Sequence, residues 1–214
     1  MGQRSQIYVR IKSDEQIGVS ARYFQWNYGE RMVSRARGTI EHIIDYLHGN
    51  FSGDEIDAYL RYGGFRKLPR FIETNFDMKD IAISSDILEE CNEYGEDDIF
   101  AQDNNDGQLY IDVSEDGIKY AFVGSDFSTP LDGNAYMNWN CYIEEEGVTS
   151  WMDMFDRSKF HEIEEIKYTL DNIEYIRNHA TLMTEDEVAE FQDFDYTPFI
   201  KETSHIIEIE VENE

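Results

Sequence analysis

Apolar and polar residues alternate at the start of the chain. Ile7-Tyr8-Val9-Arg10-Ile11 and Ile17 to Trp26 are rich in β-branched and aromatic residues, and the polar stretch Ser13-Asp14-Glu15-Gln16 between them predicts a hairpin. The period then changes. Asn27-Tyr28-Gly29-Glu30 has the form of a capping box, and Met32, Val33, Ala36, Ile40, Ile43, Ile44 and Leu47 recur on one helical face, which predicts a helix over 28–48 that ends near Gly49-Asn50. Short helical segments follow over Asp54 to Arg61 and near Leu68 to Ile72, then a strand over Met78 to Ile83 and a helical turn over Ser85 to Cys91. Leu109 to Val113 and Ile118 to Val123 alternate about the turn signal Asp116-Gly117, predicting a second hairpin. Tyr136 to Ile143 reads as a further strand beside it.

Helical spacing returns toward the end of the chain. Ile163, Ile166, Leu170 and Ile173 predict an amphipathic helix over 162–178, and Thr184-Glu185-Asp186-Glu187 is a capping box opening a helix over Val188 and Phe191. Ile206 to Glu212 alternates apolar and acidic residues, the pattern of a closing strand with one wet face. Strands and helices are mixed without a regular βα rhythm. The expected fold is therefore α+β: an antiparallel sheet with packed helices, in which an N-terminal β-hairpin and helix lie against a larger part.

Charge divides the same chain unequally. The net charge is −28 over 214 residues, from 18 Lys+Arg and 46 Asp+Glu. Residues 1–70 hold 11 Lys+Arg against 8 Asp+Glu and are net basic, so all of the acid excess lies beyond them. The expected organisation is a hairpin and basic-helix region over 1–75 and an acidic α+β region over 76–214, in tight contact or as one continuous domain. An apolar fraction of 41% with 14% aromatics provides for a core, and the acids alternate with Ile, Tyr, Phe and Trp instead of forming a tail. No apolar run is long enough for a membrane span, and the opening has no apolar signal core. Cys91 and Cys141 form neither a CxxC pair nor a disulfide framework, which fits a reducing compartment.

Motifs for chemistry fail on spacing. Asp103-Asn104-Asn105-Asp106-Gly107 resembles the opening of a calcium loop, yet Gly stands fifth where the pattern needs it sixth, and Val113 or Ser114 occupies the place of the liganding Glu. His161-Glu162-Ile163-Glu164-Glu165 has Glu where a zinc-protease helix needs its second His. The five histidines are scattered, and neither Cys has a nucleophile signature. No catalytic residue, metal ligand or cofactor is assigned. Arg31, Arg35 and Arg37, with Arg4, Arg10 and Arg22, invite a nucleic-acid reading; pairing with the acidic remainder is preferred, because the field of that remainder repels phosphate. The aromatic run from Arg22 to Arg31 is read as core, in preference to a base-stacking platform.

Acid in excess of what solubility requires costs stability through self-repulsion and calls for a basic partner. Proteins that bind DNA carry Lys/Arg grooves, which rows of carboxylates can occupy. The candidate contact residues are Glu144, Glu145 and Glu146; Glu162, Glu164 and Glu165; and Glu185, Asp186, Glu187 and Glu190.

The opening Met1-Gly2-Gln3-Arg4-Ser5-Gln6-Ile7-Tyr8-Val9-Arg10, followed by Ala21-Arg22-Tyr23-Phe24-Gln25-Trp26-Asn27-Tyr28-Gly29-Glu30-Arg31-Met32-Val33-Ser34-Arg35-Ala36-Arg37, resembles the N-terminal signature of small proteins encoded by bacteriophages and prophages. The resemblance covers about the first 40 residues and implies a setting, with no residue roles to carry over. Acidic phage proteins of this size are similar in character to anti-restriction and anti-CRISPR proteins, several of which mimic DNA; the Arg-rich opening is a departure from typical mimics. The expected partner is thus a basic nucleic-acid-binding protein of host defence, a CRISPR effector or restriction nuclease. Direct contact with nucleic acid or membrane is not expected, and the expected location is the cytoplasm of the host bacterial cell. The alternative is a divalent-metal-dependent nucleotide or phosphodiester enzyme, with α-helical arginines holding phosphate.

Overall fold

The computed structural model describes residues 4–12, 17–25, 27–48, 77–78, 99–100, 106–141 and 148–196. In chain order the strands are β1 (Arg4–Lys12), β2 (Ile17–Gln25), β3 (Asp77–Met78), β4 (Gln108–Ser114), β5 (Gly117–Val123), β6 (Pro130–Leu131) and β7 (Thr181–Leu182). The helices are α1 (Glu30–Leu47), α2 (Gly133–Asn140), α3 (Phe160–His179) and α4 (Glu185–Asp193), with a 3-10 turn at Trp151–Met154.

The fold is α+β, with N-terminal strands followed by a helix. Both expected hairpins form: β1 pairs antiparallel with β2 from Arg4↔Gln25 to Lys12↔Ile17, and β4 with β5 from Gln108↔Val123 to Ser114↔Gly117. They join through a parallel pairing of β1 with β4, Gln6↔Gln108 to Ile11↔Val113, so the sheet is mixed where an antiparallel one was expected. A parallel join needs a crossover, and α1 lies within the chain between the two hairpins. The strand order is β3-β2-β1-β4-β5-β6, with β7 also pairing with β5. Residues from both sides of position 75 thus share one sheet.

Alternation assigns the two faces of the sheet. Ile7, Val9, Leu109, Ile111, Val113, Ile118, Tyr120 and Phe122 point to one side, where they pack with Met32, Val33, Ala36, Ile40 and Ile43 of α1, Tyr136 and Met137 of α2, Trp151, and Ile173 and Ile176 of α3. Tyr8, Val19, Ala21, Tyr110, Ala121 and Val123 point to the other side and meet Ile99, Met183, Val188 and Phe191 of α4, and Tyr196. Helices α1 to α3 therefore cover one face and α4 the other. No helix among the described residues is long and apolar enough to cross a membrane.

Three expectations are corrected. The segment from Tyr136, read as a strand over 136–143, is helix α2 through Asn140. Asp132 caps it by accepting from the Ala135 N–H at 2.8 Å, and Gly133, Tyr136 and Met137 are buried at helical spacing, with Tyr136 stacked on Phe122 at 4.7 Å. Asn27 does not serve as the expected capping side chain of α1. Its amide donates to Ser5 Oγ (3.1 Å) and Met32 Sδ (3.2 Å) and accepts from Arg35 Nε (3.4 Å), while the chain enters the helix through Gly29 at φ +53°. The apolar face of α3 is also rotated from the expected one. Thr169, Asn172, Ile173 and Ile176 are buried, whereas Ile163 and Leu170 are exposed. Polar residues enter this interface because α1 supplies partners: Ser34 Oγ lies 3.0 Å from Tyr168 Oη, and Arg37 donates to Asn172 Oδ1 at 2.9 Å. The expected segments over 54–61, 68–72, 85–91 and 206–212, residues 79–83 of the expected strand, and Asp103 to Asn105 of the loop before β4 lie outside the described residues.

Candidate functional site

The N-terminal arginines are drawn inward. Arg10, 2% exposed, makes a two-pronged ion pair with Asp112, Nε to Oδ1 and Nη2 to Oδ2, both at 2.9 Å. Its guanidinium also lies 4.6 Å from the Phe191 ring centre and 5.0 Å from that of Phe194. Arg35, 1% exposed, stacks over Phe24 at 4.3 Å, and Arg31 is buried over Tyr28 at 5.1 Å. Arg37 is held by Asn172 and by the Tyr175 ring at 4.7 Å. Arg10 thus pairs with an acid of the later part, as expected, whereas Arg31, Arg35 and Arg37 are drawn onto aromatic rings and amides, and α1 offers no exposed row of arginines to a phosphate. Phe24 is fully buried in the core, as read from its aromatic run.

Exposed cations are correspondingly scarce. Among the described residues the exposed Lys and Arg are Arg157, Lys159, Lys167 and Arg177. Arg157 bridges to Asp153 at 3.1 Å, Lys159 to Glu162 at 2.8 Å and Asp156 at 3.4 Å, and Arg177 to Asp132 at 3.4 Å. Exposed carboxylates outnumber them: Glu115 and Asp116 in the β4–β5 turn, Asp126, Asp153, Asp156, and along α3 Glu164, Asp171 and Glu174. Glu185, Asp186, Glu190, Asp193 and Asp195 continue the series through α4 and beyond.

The three candidate clusters fare differently. Glu144, Glu145 and Glu146 lie outside the described residues. At the start of α3 the three acids have three environments. Glu162 accepts from Lys159 and from the Asp156 backbone N–H, bonds that hold its carboxyl below the ordinary range, while Glu164 is exposed. Glu165 is half-buried, and burial, with the charges of Glu30 and Glu162 added, pushes its carboxyl up to about 7. Burial also raises the Glu30 carboxyl.

At α4, Glu187 is used internally. It completes the expected capping box, accepting from the Thr184 N–H at 2.8 Å while its own N–H donates to Thr184 Oγ1 at 3.3 Å, and it pairs with Lys119 at 2.7 Å. The Lys119 bond, followed by that from Thr184, lowers its carboxyl. Glu185, Asp186 and Glu190 remain exposed, with Lys12 Nζ 3.9 Å from Glu190 and 3.0 Å from Asp112.

Lys119, two residues after Gly117, pairs with Glu187, and Lys12 at the end of β1 lies 3.9 Å from Glu190, so α4 lies at the same end of the sheet as Asp112 and the β4–β5 turn residues Glu115 and Asp116. Sequence reading missed this trio. Asp116 was legible only as a turn residue, and the Lys119–Glu187 pair that brings α4 toward it spans 68 positions. The α3 and α4 acids, by contrast, belong to helices on opposite faces of the sheet. A partner touching both must wrap the sheet or engage one face at a time.

Other reactive groups are placed structurally. Burial pushes the Cys141 thiol up to about 11, which leaves it protonated and a poor nucleophile. Asp106 is buried, accepting from the Arg4 N–H at 2.8 Å and Asn140 at 3.3 Å. Among the described residues no group of three or more His, Cys, Asp or Glu is placed to hold a metal ion. No family model matches this chain, and neither a curated protein nor a solved structure matches it.

Proposed function

We propose that this protein is a phage-encoded anti-defence inhibitor that acts in the host bacterial cytoplasm. It binds a basic nucleic-acid-binding protein, a CRISPR effector or restriction nuclease, and blocks access of DNA through an acidic, DNA-mimicking surface. The observation that carries this reading is the inward placement of Arg10, Arg31 and Arg35. Drawing Arg10, Arg31 and Arg35 inward while Glu164, Glu185, Asp186 and Glu190 stay outside makes the surface of the described residues more acidic than their charge balance alone implies. It also eases the conflict between the Arg-rich opening and mimicry, since Arg10, Arg31 and Arg35 are taken up by the interior.

The test is a panel of purified basic effectors of bacterial defence, each assayed for DNA binding with and without the protein. One or more should lose DNA binding at low salt, with the inhibition weakening as salt rises through the physiological range. If no effector binds at low salt, the reading fails.

A further inference from the structure

Two apolar stripes run along α3, and one of them is covered by the fold. Ile173 and Ile176 enter the core beside α1 and the sheet. The second stripe faces outward: Phe160 is 76% exposed, Ile163 44% and Leu170 39%. Their spacing, with Lys167 between Ile163 and Leu170, runs in steps of three, four and three, which puts all four side chains on one side of the helix. Met154, 50% exposed, ends the 3-10 turn that leads into this helix. Apolar residues scattered singly over a surface need no explanation, but an aligned series on one helix face is the geometry by which helices dock.

The borders of the stripe specify the occupant. Glu164 and Asp171 stand next to it in sequence on exposed positions, and Glu174 follows Leu170 by one turn. Nearby Arg157 and Lys159 are held in pairs with Asp153, Asp156 and Glu162. A second copy of this chain, also at −28, brings acid against acid. Lys167 is an exposed cation within the stripe, and Glu164, Asp171 and Glu174 outnumber it, so the face as a whole complements an apolar ridge flanked by Lys and Arg.

We propose that the outer face of α3, centred on Phe160, Ile163 and Leu170, docks a basic amphipathic helix of the partner, with apolar residues at i, i+3, i+4 and i+7 and Lys or Arg beside them. This rests on the acidic-inhibitor reading and adds to it the place and chemistry of the anchoring contact. Phe160 is the aromatic anchor. Long-range attraction by the acids brings the partner in, and the apolar stripe holds it.

The test uses two synthetic peptides of identical Leu, Lys and Arg composition and about 15 to 20 residues, long enough to become helical when bound. One has Leu at helical spacing and the other is scrambled. Binding to the full chain is followed by fluorescence anisotropy at two salt concentrations. The amphipathic peptide should bind about tenfold more tightly than the scrambled one, and F160S/I163Q/L170Q should bind both alike. F160S alone should lose part of the preference; because Phe160 is so exposed, this variant decides the matter if the triple variant melts early.

Retention of the preference in both variants overturns the proposal. Equal, salt-sensitive binding of both peptides to the wild type removes the docking stripe but leaves the acidic-surface reading standing. If neither peptide binds at low salt, both ideas fall. Should the wild type sediment as a dimer and the triple variant as a monomer, the stripe belongs to a second copy and the proposal is wrong.

Discussion

The two faces of the sheet solve the same problem, an interior arginine, in different ways. On the face covered by α1 to α3, Arg35 lies over Phe24 and reaches Asn27, whose amide is fixed by Ser5. On the face covered by α4, Arg10 is clamped by both oxygens of Asp112 and flanked by Phe191 and Phe194. Arg10 and Asp112 are also register partners across the parallel β1–β4 join, so the ion pair sits on the seam between the two hairpins. A buried charge is costly unless paired and hydrogen-bonded. The comparison shows the basic opening of the chain working as internal structure, with one arginine fastening the sheet and another filling the helix layer.

The largest expected effect breaks that fastening. Asp112→Ala leaves the Arg10 guanidinium buried without its carboxylate and should cost about 3 to 5 kcal/mol, measured by urea unfolding. For a chain of this size that lowers Tm by more than about 6 °C. The double change R10M/D112L should recover most of the loss, because a well-packed apolar pair replaces the ion pair. Arg35→Met should cost less than half as much as Asp112→Ala, since methionine keeps the packing on Phe24 and Asn27 retains its bond to Ser5. Equal losses at the two sites would mean that the faces do not differ in the way described.

What was legible in the sequence follows from how local each signal is. The hairpins at β1–β2 and β4–β5, helix α1 and the Thr184 capping box rest on neighbouring residues, and all are present. The parallel β1–β4 join pairs residues about 100 positions apart, and no local pattern reveals it. Tyr136 to Asn140 failed for a different reason. Its aromatic and polar residues satisfy both a two-residue and a helical period over so short a run, and Asp132, the capping residue that decides, lies outside the run itself. The face of α3 was misread because apolarity marked Ile163 and Leu170, whereas α1 presents Ser34 and Arg37, which draw Tyr168 and Asn172 inward. For the candidate site, sequence located acids but not their employment: Glu162 and Glu187 are bound by cations and backbone N–H groups, while Glu164 and Glu185 are outside.

A pH dependence sharpens the contrast between the helix layer and the α4 side. Glu165 has its folded carboxyl raised to about 7 from an ordinary 4.5, so between these values the folded chain holds a proton that the unfolded chain has lost. Stability contributed by that proton is complete below about 4.5 and is lost as pH rises toward 7. Glu165→Gln should therefore raise stability by about 1 kcal/mol at pH 8, discounted for its partial exposure, and leave it unchanged at pH 4. The Tm gain at pH 8 is about 2 to 4 °C. Glu30, raised in the same direction by burial, leaves a residual slope. Melting wild type and variant from pH 4 to 8 gives the comparison, and parallel curves would show that Glu165 is not the group responsible.

The smallest effects on stability, and the most informative about function, come from α4. Glu187→Gln weakens the ion pair with Lys119 and one arm of the Thr184 box, so it should cost about 1 kcal/mol. The folded carboxyl is lowered, so the part of this loss due to charge is present above the ordinary carboxylate range and fades as pH falls through the folded value. The triple change E185Q/D186N/E190Q touches exposed side chains, of which Glu190 has a distant contact with Lys12, and should shift stability by less than about 0.5 kcal/mol. Its consequence should appear in the approach of a basic partner. Removing three exposed charges from the acidic end should slow association severalfold at low salt and hardly at all at high salt, with the dissociation rate nearly unchanged. Changes along the outer stripe of α3 should do the reverse and speed dissociation. Stopped-flow association and dissociation with the same basic peptide separate the two, and a faster dissociation after the α4 change would place the holding contact on that face instead.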